Sequence, residues 1–167
     1  MVEILTCSPP QTIKYQGLLR CKELYKEITD WLAAHSYDKN EIMNEEQVLE
    51  DGKQIFIHLE PSKNISDYAK IEMEINISIS QLEKVTVEHE GIKKHMDKGN
   101  VSITIETSLI TDYENKWQNK PFYYFSKKIM ERFFFREYID LYKAEVNEDK
   151  RILMRELKSF LNLYRFN

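Results

Sequence analysis

The chain has 167 residues and a formal net charge of −4, with 42% hydrophobic, 31% charged and 12% aromatic residues. This length fits one domain of ordinary size, and the four glycines and four prolines exclude collagen-like and low-complexity chains. The mildly acidic balance argues against a general polyanion binder, because affinity for nucleic acid comes largely from neutralised phosphates.

The N-terminal part of the chain predicts a short strand followed by an amphipathic helix. Residues 12–16 alternate as a strand does, within an N-terminal arm of residues 1–17 that ends at the break Gly17. A helix is expected over residues 18–36, ending near His35 and Ser36. Its apolar residues recur at helical spacing: Leu24, Ile28, Trp31 and Leu32.

The middle of the chain, residues 41–110, changes from a period of 3.6 to a period of 2. A turn at residues 50–52 predicts a hairpin between residues 42–49 and 53–60. Residues 70–80 and 101–109 alternate strictly between apolar and polar side chains, and turns are expected at residues 89–91 and 97–100. Such alternation indicates an antiparallel sheet with one packed face and one solvated face.

The C-terminal part predicts helices over residues 121–164, divided by a break at Asn147. Two apolar stripes lie on the first of them, so its apolar surface spans more of the wheel than a helix lying on a sheet requires. The last helix or a second subunit must cover the remainder. One stripe holds Phe125, Ile129 and Phe133, and the other holds Met130, Phe134, Tyr138 and Leu141.

Together these elements predict a single α+β domain over residues 1–167. A curved antiparallel sheet of five or six strands packs one face against the N-terminal helix and the long C-terminal helical segment. Over residues 12–145 this layout resembles the helix-grip fold of the START and polyketide-cyclase type. That resemblance implies an apolar cavity and small hydrophobic ligands. The C-terminal run from Phe160 to Phe166 also resembles small uncharacterised archaeal α+β proteins, and it implies no activity.

No catalytic, metal or cofactor signature is present in the sequence. The four glycines are too scattered for a phosphate-binding loop, and neither Cys7 nor Cys21 has a sequence-level catalytic partner. His89 and His95 flank a predicted turn and are expected to lie at the surface. We therefore expect no cofactor. Two cysteines, the lack of an export signal and the lack of an 18-residue apolar run predict a cytoplasmic protein that does not span a membrane.

Three roles remain open from the sequence. The first is a non-enzymatic interaction protein, binding itself or another protein through Phe133, Phe134, Tyr138 and Tyr142. The second is a carrier of apolar small molecules, whose pocket would be lined by Ile75, Ile77, Ile103, Ile105, Phe125 and Ile129. The third is binding of RNA or a ribonucleoprotein, because residues 116–167 hold 12 Lys and Arg against 7 Asp and Glu. The basic residues of that segment include Lys127, Lys128, Arg132, Arg136, Lys143, Lys150, Arg151, Arg155, Lys158 and Arg165.

Overall fold

The structure is a computed structural model, and it describes residues 3–50, 52–65, 69–89, 92–111 and 135–163. Within these ranges the chain forms six strands and two helices. In chain order they are β1 (Glu3–Leu19), α1 (Cys21–Ala34), β2 (Glu41–Leu49), β3 (Gly52–Leu59), β4 (Ser62–Asn64), β5 (Ala69–His89), β6 (Ile92–Thr111) and α2 (Phe135–Leu163).

The six strands form one antiparallel sheet in the order β1-β6-β5-β3-β2, and the short strand β4 pairs with β5 beside this path. The predicted α+β class and the predicted antiparallel sheet of five or six strands are therefore confirmed. The predicted hairpin is confirmed as well, since β2 pairs with β3 and Leu49 lies opposite Gly52. β1 and β2 are the two outer strands of this order.

The packed face of the sheet is made by the alternating isoleucines of β5 and β6. Ile75 lies opposite Ile105, and Ile77 lies opposite Ile103, with all four side chains at 0–1% exposure. β-Branched side chains fit a pleated surface of this kind, and burying each one contributes about 1.5–3 kcal/mol. Residues between them, such as Ser78 and Ser102, lie on the other face. The predicted one-sided sheet is confirmed.

Helix α1 packs its predicted stripe into the core, where Leu24, Ile28, Trp31 and Leu32 are buried. The helix begins at Cys21, three residues later than expected, because β1 continues to Leu19. At its C-terminus, the amide of Tyr37 donates to the Leu32 carbonyl at 2.9 Å, and Ser36 adopts a left-handed φ of 61°. This hydrogen bond closes the last turn as in a Schellman motif.

Helix α2 runs through the position where a break was predicted. Asn147 lies inside the helix, next to the fully buried Val146. A single asparagine costs a helix less than about 0.7 kcal/mol relative to alanine, and the burial of one core side chain outweighs that. The buried stripe continues as Leu153, Met154, Leu157 and Leu161, and it belongs to the same core cluster as the sheet isoleucines.

One predicted break, at Gly17, and one predicted turn, at residues 97–100, lie inside strands. Gly17 lies within β1, which is 17 residues long instead of the predicted five, and residues 97–100 lie within β6. At the second place the partner strand has a β-bulge between Ser80 and Glu83. A Cβ on Gly99 would come within 3.1 Å of the Ser80 carbonyl oxygen. Gly99 therefore allows close strand approach at a bulge, a common use of glycine in strands.

Candidate interaction surface

Strand β2 forms one edge of the sheet, and all nine of its residues are exposed. Of the described side chains, seven large hydrophobic ones are exposed, and four of these belong to β2. A fifth, Phe56, lies on the neighbouring strand β3. We call these five residues the edge surface; they are Ile42, Met43, Val48, Leu49 and Phe56.

The edge surface has apolar residues on both faces of the sheet. Met43 lies opposite His58 on the solvated face, whereas Val48 lies opposite Lys53 on the face that carries the core. Val48 is nevertheless 82% exposed. Glu46 lies opposite Ile55 on that same core face and is exposed too. The described helices therefore leave this end of the sheet uncovered.

Three carboxylates accompany the apolar residues of β2. Glu41 accepts hydrogen bonds from Tyr25 and from Asn44, and it pairs with Lys39. These contacts, the Tyr25 hydroxyl above all, lower the pKa of Glu41. Glu46 pairs with Lys53 at 2.5 Å and keeps a 54% exposed side chain. Glu45 has no ion pair with any residue in the described part of the chain.

Beside the edge surface, His58 joins strands β3 and β5 on the solvated face. Its Nδ1 lies 2.6 Å from the Asn76 side-chain oxygen, and its Nε2 lies 3.1 Å from a Glu60 carboxylate oxygen. The Asn76 amide in turn donates to Glu74 at 2.9 Å. The hydrogen bond to Asn76, followed by that to Glu60, raises the pKa of His58. Both ring nitrogens of His58 are thus engaged by other side chains, which leaves neither of them free to take a proton from a substrate as a general base does.

The two cysteines are not activated nucleophiles. Both are unpaired thiols. Burial, followed by the nearby carboxylate of Asp97, raises the pKa of Cys21 to about 12, and burial also raises the pKa of Cys7. A thiol needs a lowered pKa to react as a thiolate. Asp97 instead accepts a hydrogen bond from the Cys21 backbone amide at the start of α1, at 3.3 Å.

Four of the predicted pocket residues come together in the core. Ile75, Ile77, Ile103 and Ile105 are adjacent across β5 and β6, and they pack in one cluster with both helices. Phe125 and Ile129 lie outside the described residues. A groove of about 340 Å³ lies on the solvated side of the sheet, and its lining includes Lys14, Gln16, Ser78, Ser80, Asn100 and Ser102.

Of the predicted interaction residues, the structure describes the side chain of Tyr142, which packs against the core cluster. Tyr138 lies in α2, but its side chain is outside the described part of the structure. Phe133 and Phe134 lie outside the described residues altogether.

The basic residues of α2 serve different purposes. Lys150 is 2% exposed, and its Nζ donates to the Ser8 hydroxyl at 2.9 Å and to the Pro9 carbonyl at 2.7 Å. Arg151 pairs with Glu148 within the helix, while Arg155 and Lys158 are exposed. Because it is buried, Lys150 offers no cationic group to solvent, unlike Arg155 and Lys158. Its ammonium instead holds the irregular part of β1, where the register with β6 shifts on both sides of Ser8.

The sequence contained a signal for the edge surface that the hairpin prediction left unused. Apolar residues occur as adjacent pairs in β2, Ile42-Met43 and Val48-Leu49. Successive side chains of a strand point to opposite faces, so each pair places apolar groups on both faces. A strand inside a sheet could bury both members, whereas an edge strand with one open face exposes at least one.

Within the described ranges, no three histidine, cysteine or acidic side chains are grouped so as to hold a metal ion. Of the helices described, none carries an apolar stretch of the length that crossing a bilayer requires. The chain matches no protein-family model and no curated protein.

Proposed function

We propose that this protein is a non-enzymatic interaction protein of the cytoplasm, and that its partner adds an extended segment to the sheet along β2. The observation that carries the proposal is that all nine residues of this edge strand are exposed, the apolar side chains among them. An unpaired strand edge is a template for strand addition. The two unpaired thiols support a reducing compartment.

Strand addition supplies both affinity and specificity at such an edge. About half of the residues of β2, roughly four or five, direct their backbone N–H and C=O groups away from β3. A docked strand would pair with these groups, and its side chains would cover Met43 on one face and Val48 on the other. Self-association through the aromatic C-terminal helices is compatible with this role and predicts a dimer in sedimentation at micromolar concentration.

The carrier hypothesis has weaker support. Ile75, Ile77, Ile103 and Ile105 are closed off from solvent by the protein's own side chains, whereas a carrier needs a cavity of about 300 Å³ or more against such residues. For the RNA-binding hypothesis, the buried Lys150 cannot contact a phosphate, whereas the exposed Arg155 and Lys158 still could.

A model peptide tests strand addition directly. We would titrate the protein with an eight-residue peptide that has an apolar pair at each end and a central Gln-Gln, and follow amide hydrogen exchange. The expected result is slower exchange in residues 41–49 and an affinity that Val48→Asp lowers about tenfold, or about 1.4 kcal/mol. Ile4→Asp is the matched control, since Ile4 is 65% exposed on the opposite edge strand β1. Unchanged exchange at saturating peptide would refute the proposal.

A further inference from the structure

We infer that the segment docking on β2 is basic at its centre and is not a second copy of β2; this inference rests on the proposed function. The relevant residues are Glu45 and Glu46, which lie at the middle of the nine-residue strand. Glu45 lies opposite Phe56 on the solvated face, and Glu46 lies opposite Ile55 on the core face. Each face of the edge therefore has a central carboxylate.

These two carboxylates oppose self-pairing. A twofold axis that pairs β2 with β2 over its whole length aligns Glu45 with the Glu45 of the other copy. A register shifted by two residues toward Leu49, the smallest shift that keeps each side chain on its own face of the sheet, aligns Glu46 with the Glu46 of the other copy. Like charges directly opposite one another in an antiparallel pair are destabilising. Both registers therefore place carboxylates together at the centre of the contact, as in the charged edges by which many sheet proteins avoid edge-to-edge association.

The same positions define the complementary partner. A strand added antiparallel to β2 presents two successive residues to Glu46 and Glu45, one on each face of the sheet. Apolar residues belong two positions away on either side, opposite Val48-Leu49 and Ile42-Met43. The matching segment is thus an apolar pair, a spacer, two lysines or arginines, a spacer and a second apolar pair. Glu45 is the stronger determinant, since Glu46 already pairs with Lys53.

Three peptides that differ only at the two central positions test this inference. Each has the same apolar pairs, and the centre is Lys-Lys, Gln-Gln or Glu-Glu. At neutral pH and low salt we expect the Lys-Lys peptide to bind at least about tenfold more tightly than the Glu-Glu peptide, with the Gln-Gln peptide between them. The difference should shrink at about 1 M salt, where exposed charges are screened.

A charge-neutral double variant identifies the residues responsible. Glu45→Gln with Glu46→Gln should abolish the preference among the three peptides. The matched control is Glu88→Gln with Asp140→Asn, two exposed carboxylates on β5 and α2 that lie outside the pairings of β2 with β3 and of β3 with β5, which should leave the preference intact. Circular dichroism of both variants verifies that the sheet is retained.

The outcomes separate the two proposals. Equal binding of all three peptides overturns the basic partner and leaves strand addition standing. Binding of none overturns both. A dimer of the natural chain in sedimentation at neutral pH that Val48→Asp dissociates also overturns the inference, because the occupant would then be a second copy.

Discussion

Lys150 offers the sharpest test of the energetics of this fold. Its side chain is 2% exposed, and its two hydrogen-bond acceptors, Ser8 and Pro9, are uncharged. No carboxylate of the described residues lies within ion-pair distance of its Nζ. Burial therefore lowers the pKa of Lys150, with only a partial opposing effect from Glu106. Replacement by methionine keeps the length of the side chain and removes the charge.

Two opposing contributions decide the effect of Lys150→Met. The hydrogen bonds from the charged donor contribute about 1.5–3 kcal/mol each, while burial of an ammonium without a counter-ion costs several kcal/mol. Because these nearly cancel, the free energy of unfolding of the variant at neutral pH should lie within about 1 kcal/mol of the natural value. Lys150→Ala also leaves a cavity, and it should cost about 2–4 kcal/mol.

The pH dependence of stability shows whether burial of the charged Lys150 favours or opposes folding. The folded-state pKa of Lys150 is lowered from the ordinary value of 10.5, so the unfolded state binds more protons between the lowered value and about 10.5. The penalty is present in full below that interval and disappears as the pH rises through it. Relative to Lys150→Met, the natural protein should thus gain stability from neutral pH to about pH 10, by at most about 1.4 kcal/mol per pH unit.

Urea unfolding of the three proteins across this pH range provides the measurement. The comparison between natural and variant chains cancels the other groups that titrate in alkali. A difference that stays constant with pH, or a methionine variant that loses as much stability as the alanine variant, would refute the balance between burial and hydrogen bonding described above.

Three further outcomes follow from the described contacts. Ser36→Gly should raise the free energy of unfolding by about 0.5–1 kcal/mol in urea titrations, because Ser36 holds a left-handed φ of 61° that glycine adopts without a Cβ penalty; a loss of stability contradicts this. Ile103→Ala should cost about 2–5 kcal/mol by thermal unfolding, whereas a cost below about 1 kcal/mol would mean that the site is not close-packed. His58 has a raised pKa, so its stabilising contribution is present in full below the unfolded value of about 6.5 and is lost as the pH rises through the folded value. His58→Gln should therefore be more damaging at about pH 5.5 than at about pH 8.5 in urea unfolding, and an equal loss at both would count against the bonds to Asn76 and Glu60.

Much of the sheet could be predicted because its signal is local. The alternation around Ile75 and Ile103 follows from the period of a strand, and adjacent strands of this kind pair antiparallel. The prediction of a turn at residues 97–100 was wrong. It was made because Gly99 and its polar neighbours have the composition of a turn. The actual requirement is the bulge on β5, which lies across the strand pair. The residues next to Gly99 in the chain do not indicate that Gly99 contacts another strand.

The candidate surface depended on neighbours that no local pattern specifies. Nothing in residues 41–49 states that β2 ends the sheet, since that depends on which strand pairs beyond it. Lys150 illustrates the same point from the other direction. Its helical position suggests a solvated cation, yet the irregular segment of β1, more than a hundred residues earlier in the chain, supplies its acceptors.

By itself, the order of residues determined the periods of the sheet strands, the one-sided sheet and the apolar stripe of α1, because burial follows the repeat of each element. Tertiary structure alone decided which strand is the edge, which cation is buried and which glycine serves a bulge. Those outcomes arise from pairings between segments distant in the chain. The free energy of such a pairing depends on both segments together, so neither local sequence specifies it.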